Sequence, residues 1–176
     1  MKDARDSLAR PSARPLPDRR LPGALPFARL AARGAPPGMR EIAEAPRTGA
    51  LAEIVAHKRT LLVSFRRSGT PVPTPVWAAE AGGLLYVRSE RTAGKCKRLR
   101  ADSRVLIAPC TVRGRPLGAP LEGSARVLER AGEPAAERAL AGRYGLGRWL
   151  FEYAMDLLRI DMCYLEISPG AWGGGE

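Results

Sequence analysis

Residues 60–89 read Thr60-Leu61-Leu62-Val63-Ser64-Phe65-Arg66-Arg67-Ser68-Gly69-Thr70-Pro71-Val72-Pro73-Thr74-Pro75-Val76-Trp77-Ala78-Ala79-Glu80-Ala81-Gly82-Gly83-Leu84-Leu85-Tyr86-Val87-Arg88-Ser89. Thr60–Arg66 is β-branched and apolar, the composition of a strand. Arg67-Ser68-Gly69-Thr70 supplies a hairpin turn, and Pro71–Glu80 follows as a second strand. Ala81-Gly82-Gly83 turns the chain again into Leu84–Ser89, a third strand. Three strands joined by tight glycine turns predict an antiparallel meander.

Downstream, Thr92–Ala101 reads as a short basic helix ended near Asp102-Ser103. Arg104–Thr111 is apolar on both faces, as expected of a strand covered on both sides. Arg113–Gly118 is a polar turn, and Leu121–Glu129 a fifth strand in which Gly123 marks a bulge or a close approach. Glu133–Tyr144 and Leu146–Arg159 read as helices separated by Gly145, and Met162–Ser168 as a final strand ended by Pro169. Upstream, Thr48 can cap a helix that puts Leu51, Ile54 and Val55 on one face. Six strands with helices before, within and after them predict a mainly β, α+β domain built as a small closed or partly closed barrel.

The chain has 176 residues and a net charge of +11, unevenly placed. Residues 1–40 hold seven prolines, nine Lys/Arg and three Asp/Glu, a balance of +6, and lack a periodic apolar pattern. Such a segment cannot bury enough surface to offset its ordering entropy. Residues 1–45 are therefore expected to be a disordered basic extension, 46–170 the folded domain and 171–176 a flexible tail. Met39 offers an alternative start. Arg19-Arg20 does not make a convincing twin-arginine signal, because Pro22, Pro26, Arg29 and Arg33 interrupt any apolar core behind it.

No apolar run approaches the roughly 20 residues needed to span a bilayer, so no membrane partner is expected. Cys96, Cys110 and Cys163 are scattered and odd in number, which points to a cytoplasmic location. His57 is the only histidine and has no cysteine or carboxylate at metal-ligand spacing, so a zinc site of about four ligands is not expected; a Ser-His-Asp triad would rest on that single candidate, and GxSxG is missing. GxxxxGK[ST] and GxGxxG are missing too. Nucleic acid is not an expected partner, since the basic excess sits largely on the extension and the core lacks the aromatic pattern of single-strand binders.

The densest polar constellation is Arg88-Ser89-Glu90-Arg91-Thr92-Ala93-Gly94-Lys95-Cys96-Lys97-Arg98-Leu99-Arg100, which leads from the third strand into the basic helix. A helix start presents unpaired amides and partial positive charge, and so favours an anion. Ser89 and Thr92 can offer hydroxyls, Gly94 permits close approach, and Lys95 and Arg98 share one helix face. That set suits a phosphate; the plainer alternative is a solvated basic helix countering Glu90 and Asp102. Thr74, Pro75, Val76 and Trp77 form a second candidate wall. Prolines at 73 and 75 force irregular or edge backbone, and Trp77 can flank a flat aromatic ligand; a core Trp beside an edge strand is the other reading.

Taken together, Leu61–Pro71, Thr74–Trp77, Leu85–Ser89, Gly94–Arg100, Ala108-Pro109-Cys110, Gly114–Gly118 and Tyr164–Pro169 resemble the pyridoxamine-phosphate-oxidase-like, FMN-binding split β-barrel superfamily. The similarity is greatest to its actinobacterial branch of deazaflavin-dependent reductases, which use coenzyme F420. It covers roughly residues 48–170. The resemblance implies a six-stranded antiparallel split barrel and a homodimer with cofactor sites at the subunit interface. It implies that Ser89, Lys95 and Arg98 hold the phosphate, while Thr74, Pro75, Val76 and Trp77 lie along the ring. FMN-using oxidases of the superfamily carry basic residues where this chain has Thr74 and Gly94, which places F420 ahead of FMN. Arg88, Lys97, Arg100 and Arg104 would attract the acidic tail of the deazaflavin.

The implied activity is hydride transfer between F420 and a small, conjugated organic substrate. The alternatives are an FMN-binding oxidoreductase of the same fold and a flavin- or F420-binding protein without turnover. No catalytic acid stands out. Tyr86 and Tyr144 could supply a proton, and both also suit packing.

Overall fold

The computed structural model describes residues 39–157 and 160–172. The expected basic extension lies outside them as far as residue 38. Its last residues form helix α1 (Met39–Glu44), whose Ile42 is buried. Helix α2 (Leu51–Ala56) buries Ile54. Thr48 does not cap it. The cap position is Ala50 in extended backbone, without a side-chain cap, and the preceding Gly49 amide is tied to the Pro120 carbonyl at 3.1 Å.

Seven strands follow: β1 (Thr60–Phe65), β2 (Pro71–Val76), β3 (Ala78–Ala81), β4 (Leu84–Glu90), β5 (Arg104–Pro109), β6 (Leu121–Val127) and β7 (Met162–Pro169). Helix α3 (Gly94–Ala101) joins β4 to β5, and α4 (Glu133–Leu157) joins β6 to β7. Every pairing is antiparallel, and the strand order is β2-β1-β5-β6-β7-β4-β3.

One expectation needs correction. The single second strand over Pro71–Glu80 is two strands broken at Trp77. Its first part pairs with β1, from Phe65↔Pro71 to Thr60↔Val76; its second pairs with β4, from Ala78↔Val87 to Ala81↔Leu84. The meander is therefore two separate hairpins, and the described residues form seven strands rather than six. The two ends of the strand order are separated by a single residue of chain. A flat seven-stranded sheet would hold its outer strands roughly 28 Å apart at about 4.7 Å per step, so the sheet curls into a split barrel. Pro73 and Pro75 are tolerated because β2 ends the order: lacking amide hydrogens, they face away from β1.

The inner face of the curl carries the main core. Leu62, Val76, Val87, Val105, Ile107 and Leu165 pack there with Cys96 and Leu99 of α3. The outer faces are covered too. Leu61, Val63, Leu106 and Ala108 lie with Ile42, Phe65 and Trp172, whereas Tyr86 and Tyr164 lie under Ala136 and Leu140 of α4. Cover on both sides explains why β5 reads apolar on both faces. Each fully buried Leu or Ile contributes about 1.5–3 kcal/mol. Trp172, within the expected tail, donates Nε1–H toward the carbonyls of Gly123 (3.1 Å) and Val105 (3.2 Å); residues 173–176 lie outside the described set.

Gly145 divides α4 as its sequence predicts, with φ 52° and ψ −140°, a conformation closed to side chains with a Cβ. Gly123 is a close-approach residue without a bulge, its register being continuous on both sides. A Cβ there would stand 2.9 Å from the Ser168 carbonyl oxygen. Gly123→Ala is accordingly expected to lower stability by about 1–3 kcal/mol in urea denaturation. Gly142→Ala, in open helix surface with nothing within 4 Å, should raise it by up to about 1 kcal/mol.

Candidate anion-binding site at the start of helix α3

β4 delivers the chain to a tight turn from which α3 begins. Arg91 fastens that turn: its amide donates to the Asp161 carbonyl (2.9 Å), and its guanidinium reaches the Asp161 carboxylate (3.0 Å) and the Met162 carbonyl (3.1 Å). The first turn of α3 contains no acidic residue, and Ala93 at the cap offers no side-chain bond. Its partial positive charge is thus not countered from within the helix.

Lys95 and Arg98 are both half-buried on this turn. Burial pulls the Lys95 ammonium below its ordinary range. It does the same to Arg98, helped by the neighbouring Arg66 cation. Arg98 is held in place: Nε donates to Ser64 Oγ at 2.9 Å, and Ser64 Oγ reaches the Val72 carbonyl at 3.5 Å. Its guanidinium folds back over Gly94, so that a Cβ at 94 would lie 3.0 Å from Nη1. Gly94 therefore gives close access to Arg98, a side chain of the protein itself.

The remaining expected residues are placed unevenly. Ser89 is buried beneath the turn, donating to the Glu90 carbonyl (3.2 Å) and lying 3.5 Å from Cys96 Sγ; it supports the helix start from below. Thr92 is exposed and turned back onto the Glu90 carboxylate. On β2, Thr74 stands opposite Leu62 on the inner face, diagonal to Ser64, and so shares a face with the anchor of Arg98. Val76 is sealed in the core with Cys96 and Leu99. Pro75, of opposite parity, is exposed on the outer side. Trp77 stacks on Tyr144 at 5.7 Å, with the Arg59 guanidinium 4.6 Å from its ring centre. The structure thus gathers Gly94, Lys95 and Arg98 on α3, sets Thr74 on the sheet face that carries Ser64, and gives Trp77 a separate aromatic setting.

Beside Arg98 runs a groove of about 680 Å³ lined by Phe65, Arg66, Arg67, Lys97, Asp102 and Arg104 among others. Its carboxylate, Asp102, is held by Arg104 through two contacts of 3.0 and 2.9 Å, which keeps it well below the usual carboxylate range. The groove consequently offers Arg66, Arg67 and Lys97 to an anion. Of the four cations expected to attract an acidic tail, Lys97 and Arg104 line it. Arg100 is exposed on α3, and Arg88 lies on the opposite face of β4, 6.0 Å from the Tyr164 ring.

Ser64, Arg66 and Arg67 escaped the reading from sequence. The signal for Ser64 was present: a serine inside an otherwise apolar strand must find a polar partner when buried. Neither tyrosine is aimed at this site. Tyr86 packs under α4 with its hydroxyl pKa raised by burial and by Glu166, and Tyr144 lies 2.8 Å from the Ala78 carbonyl. Among the described residues no three metal-ligating side chains converge, and no helix is long and apolar enough to cross a membrane.

No family model matches the chain, and no curated protein is similar to it. Solved structures do share its fold. A proposed 5-nitroimidazole antibiotic resistance protein from Bacteroides thetaiotaomicron aligns with a TM-score of 0.52 at 17% identity, over 68% of this chain and 77% of its own. A conserved hypothetical protein from Mycobacterium tuberculosis gives 0.51 at 18%, over 70% and 82%. The heme storage protein HutZ from Vibrio cholerae gives 0.50 at 15%, over 65% and 83%. At these identities the likeness establishes the split-barrel fold.

The anchoring of Arg98 is directly measurable. A double-mutant cycle combining Ser64→Ala with Arg98→Met should return a coupling of about 1–2 kcal/mol in urea denaturation. Strictly additive effects would mean the contact does not stabilise the fold.

Proposed function

We propose that this chain binds a phosphorylated tricyclic redox cofactor, deazaflavin F420 ahead of FMN, and serves as an F420-dependent oxidoreductase acting on a small conjugated substrate. The observation that carries the reading is the tethered Arg98. A solvated basic helix would leave its cations free in water, whereas here a buried serine holds the guanidinium over a glycine at an uncapped helix start. Lys95, half-buried one residue after Gly94, adds a second cation at reduced hydration.

This donor set fits a phosphate. Lys95 and Arg98 would hold it by charge-assisted hydrogen bonds, with the first amides of α3 completing the cradle. Thr74, on the same face, would position one edge of the ring. The groove bearing Arg66, Arg67 and Lys97 continues from Arg98 and suits the acidic extension that distinguishes F420 from FMN. When bound, the deazaflavin supplies hydride transfer; the protein supplies position, charge and exclusion of water. The superfamily resemblance, with Thr74 and Gly94 where FMN-using oxidases carry basic residues, supports the same choice. A homodimer with its sites at the interface, in the cytoplasm, belongs to this proposal.

Titration of the purified chain with oxidised F420 and, separately, with FMN tests it by fluorescence quenching. F420 should bind saturably. Lys95→Glu and Arg98→Glu, checked for folding by circular dichroism, should each weaken it at least about tenfold, or 1.4 kcal/mol. Tight binding of FMN alone would replace F420 by FMN in the assignment. Silence with both cofactors, or unchanged affinity in both variants, would end it.

A further inference from the structure

Cys96 on α3 and Cys163 on β7 are far apart in sequence, yet their sulfurs lie 3.6 Å apart. Both are fully buried and both are free thiols. Cys163 stands opposite Ser89 in the β4–β7 ladder, and Cys96 Sγ lies 3.5 Å from Ser89 Oγ and 3.3 Å from the Glu90 carbonyl. The sulfurs therefore sit in the main core directly under the first turn of α3, with the Ser89 hydroxyl and the Glu90 carbonyl as polar neighbours of Cys96. Cys110, in contrast, packs among Leu61, Val63 and Leu106 on the outer face of the sheet. Simple packing would leave the three thiols chemically alike; their surroundings make them different.

We propose that Cys96 and Cys163 form a reversible dithiol–disulfide centre whose oxidant is a hydroperoxide, Cys96 attacking and Cys163 resolving. The Cys96 thiolate attacks one peroxide oxygen and the O–O bond breaks. The departing oxygen takes up a proton and leaves as water or an alcohol, and Cys96 becomes a sulfenic acid. Cys163 then attacks the Cys96 sulfur as a thiolate, the S–O bond breaks, and the hydroxyl leaves as water with the thiol proton. Two thiols lose two electrons, and the peroxide gains them. With hydrogen peroxide the products are one disulfide and two waters.

The choice of Cys96 as nucleophile follows from its place. It is the third residue of α3, where the helix start favours an anion, and it adjoins Lys95. The hydrogen bond from Cys163 holds the Cys96 thiol well below its ordinary range, opposed by burial and aided by the Lys95 cation. Cys163 is displaced upward by the same contact. Burial pushes the Cys110 thiol up to about 11. Both sulfurs are fully enclosed, so the reaction requires local opening, and the first turn of α3, which lacks a side-chain cap, is the segment assigned to that opening. The inference does not depend on which cofactor the chain holds.

The test treats the full-length folded chain with a small excess of hydrogen peroxide, quenches it in denaturant with an alkylating agent, and maps the peptides by mass spectrometry. A Cys96–Cys163 linkage should form, be reversed by dithiothreitol, and appear at least ten times faster than any loss of Cys110 alkylation. In Cys163→Ser, dimedone should trap a sulfenic acid at Cys96; in Cys96→Ser, Cys163 should stay fully alkylated. Oxidation of Cys110 at a comparable rate would overturn the proposal, as would an unlinked Cys96–Cys163 pair at a peroxide dose that consumes free glutathione. The wild-type map decides the matter even if a serine variant fails to fold.

Discussion

Trp77 is where the fold is decided. The chain on one side of it hydrogen-bonds to β1 and the chain on the other side to β4, two strands separated in the order by β5, β6 and β7. A single residue cannot bridge a flat sheet of that width, so the sheet has to curl until its extremes meet. The curl makes an interior, and Leu62, Val87, Ile107 and Leu165 line it. Helices α2 and α3 close that interior, α2 through Ile54 and α3 through Cys96 and Leu99. The cations on α3 are consequently presented beside β1, where Ser64 holds Arg98.

Electrostatics and packing converge on α3. Its buried side anchors the core, and its first turn carries Lys95 and Arg98 into partial burial, where a cation loses hydration and gains from any anion that approaches. Ser64 is the link between the two roles. It belongs to a core strand, yet its hydroxyl holds the Arg98 guanidinium. Beneath the turn, Ser89 and the two cysteines form a second, buried layer. Contributions made from such a layer act through position, and they are invisible in a list of surface charges.

Much of this was legible in the sequence. The apolar run at 60–65 and the glycine turns located both hairpins, and the Lys95–Arg98 spacing located the basic face. The break at Trp77 was missed because Pro71–Glu80 is uniformly extended, and extension says nothing of which neighbour a strand pairs with. The clue was present: prolines at 73 and 75 rule out partners on one side, and buried Ala78 and Ala79 require cover on both faces. Thr48 looked like a cap because it is the right residue type, but the tie between Gly49 and Pro120 sets that backbone instead. Ser89 and Trp77 were read as lining a ligand, from their residue types and from the resemblance. Strand parity and the Tyr144 stack, which depend on long-range packing, turn them elsewhere.

The alternation of proline along β2 also governs how copies of this molecule can meet. At 73 and 75 the outer margin of that strand has carbonyl oxygens but no amide hydrogens. An extended segment from another chain would find acceptors there and nothing to satisfy its own carbonyls. Growth of a cross-β ladder from this margin is therefore self-limiting, and replacing both prolines with valine would remove the stop. A barrel whose sheet ends in an open strand thus carries its own guard against templated fibre formation.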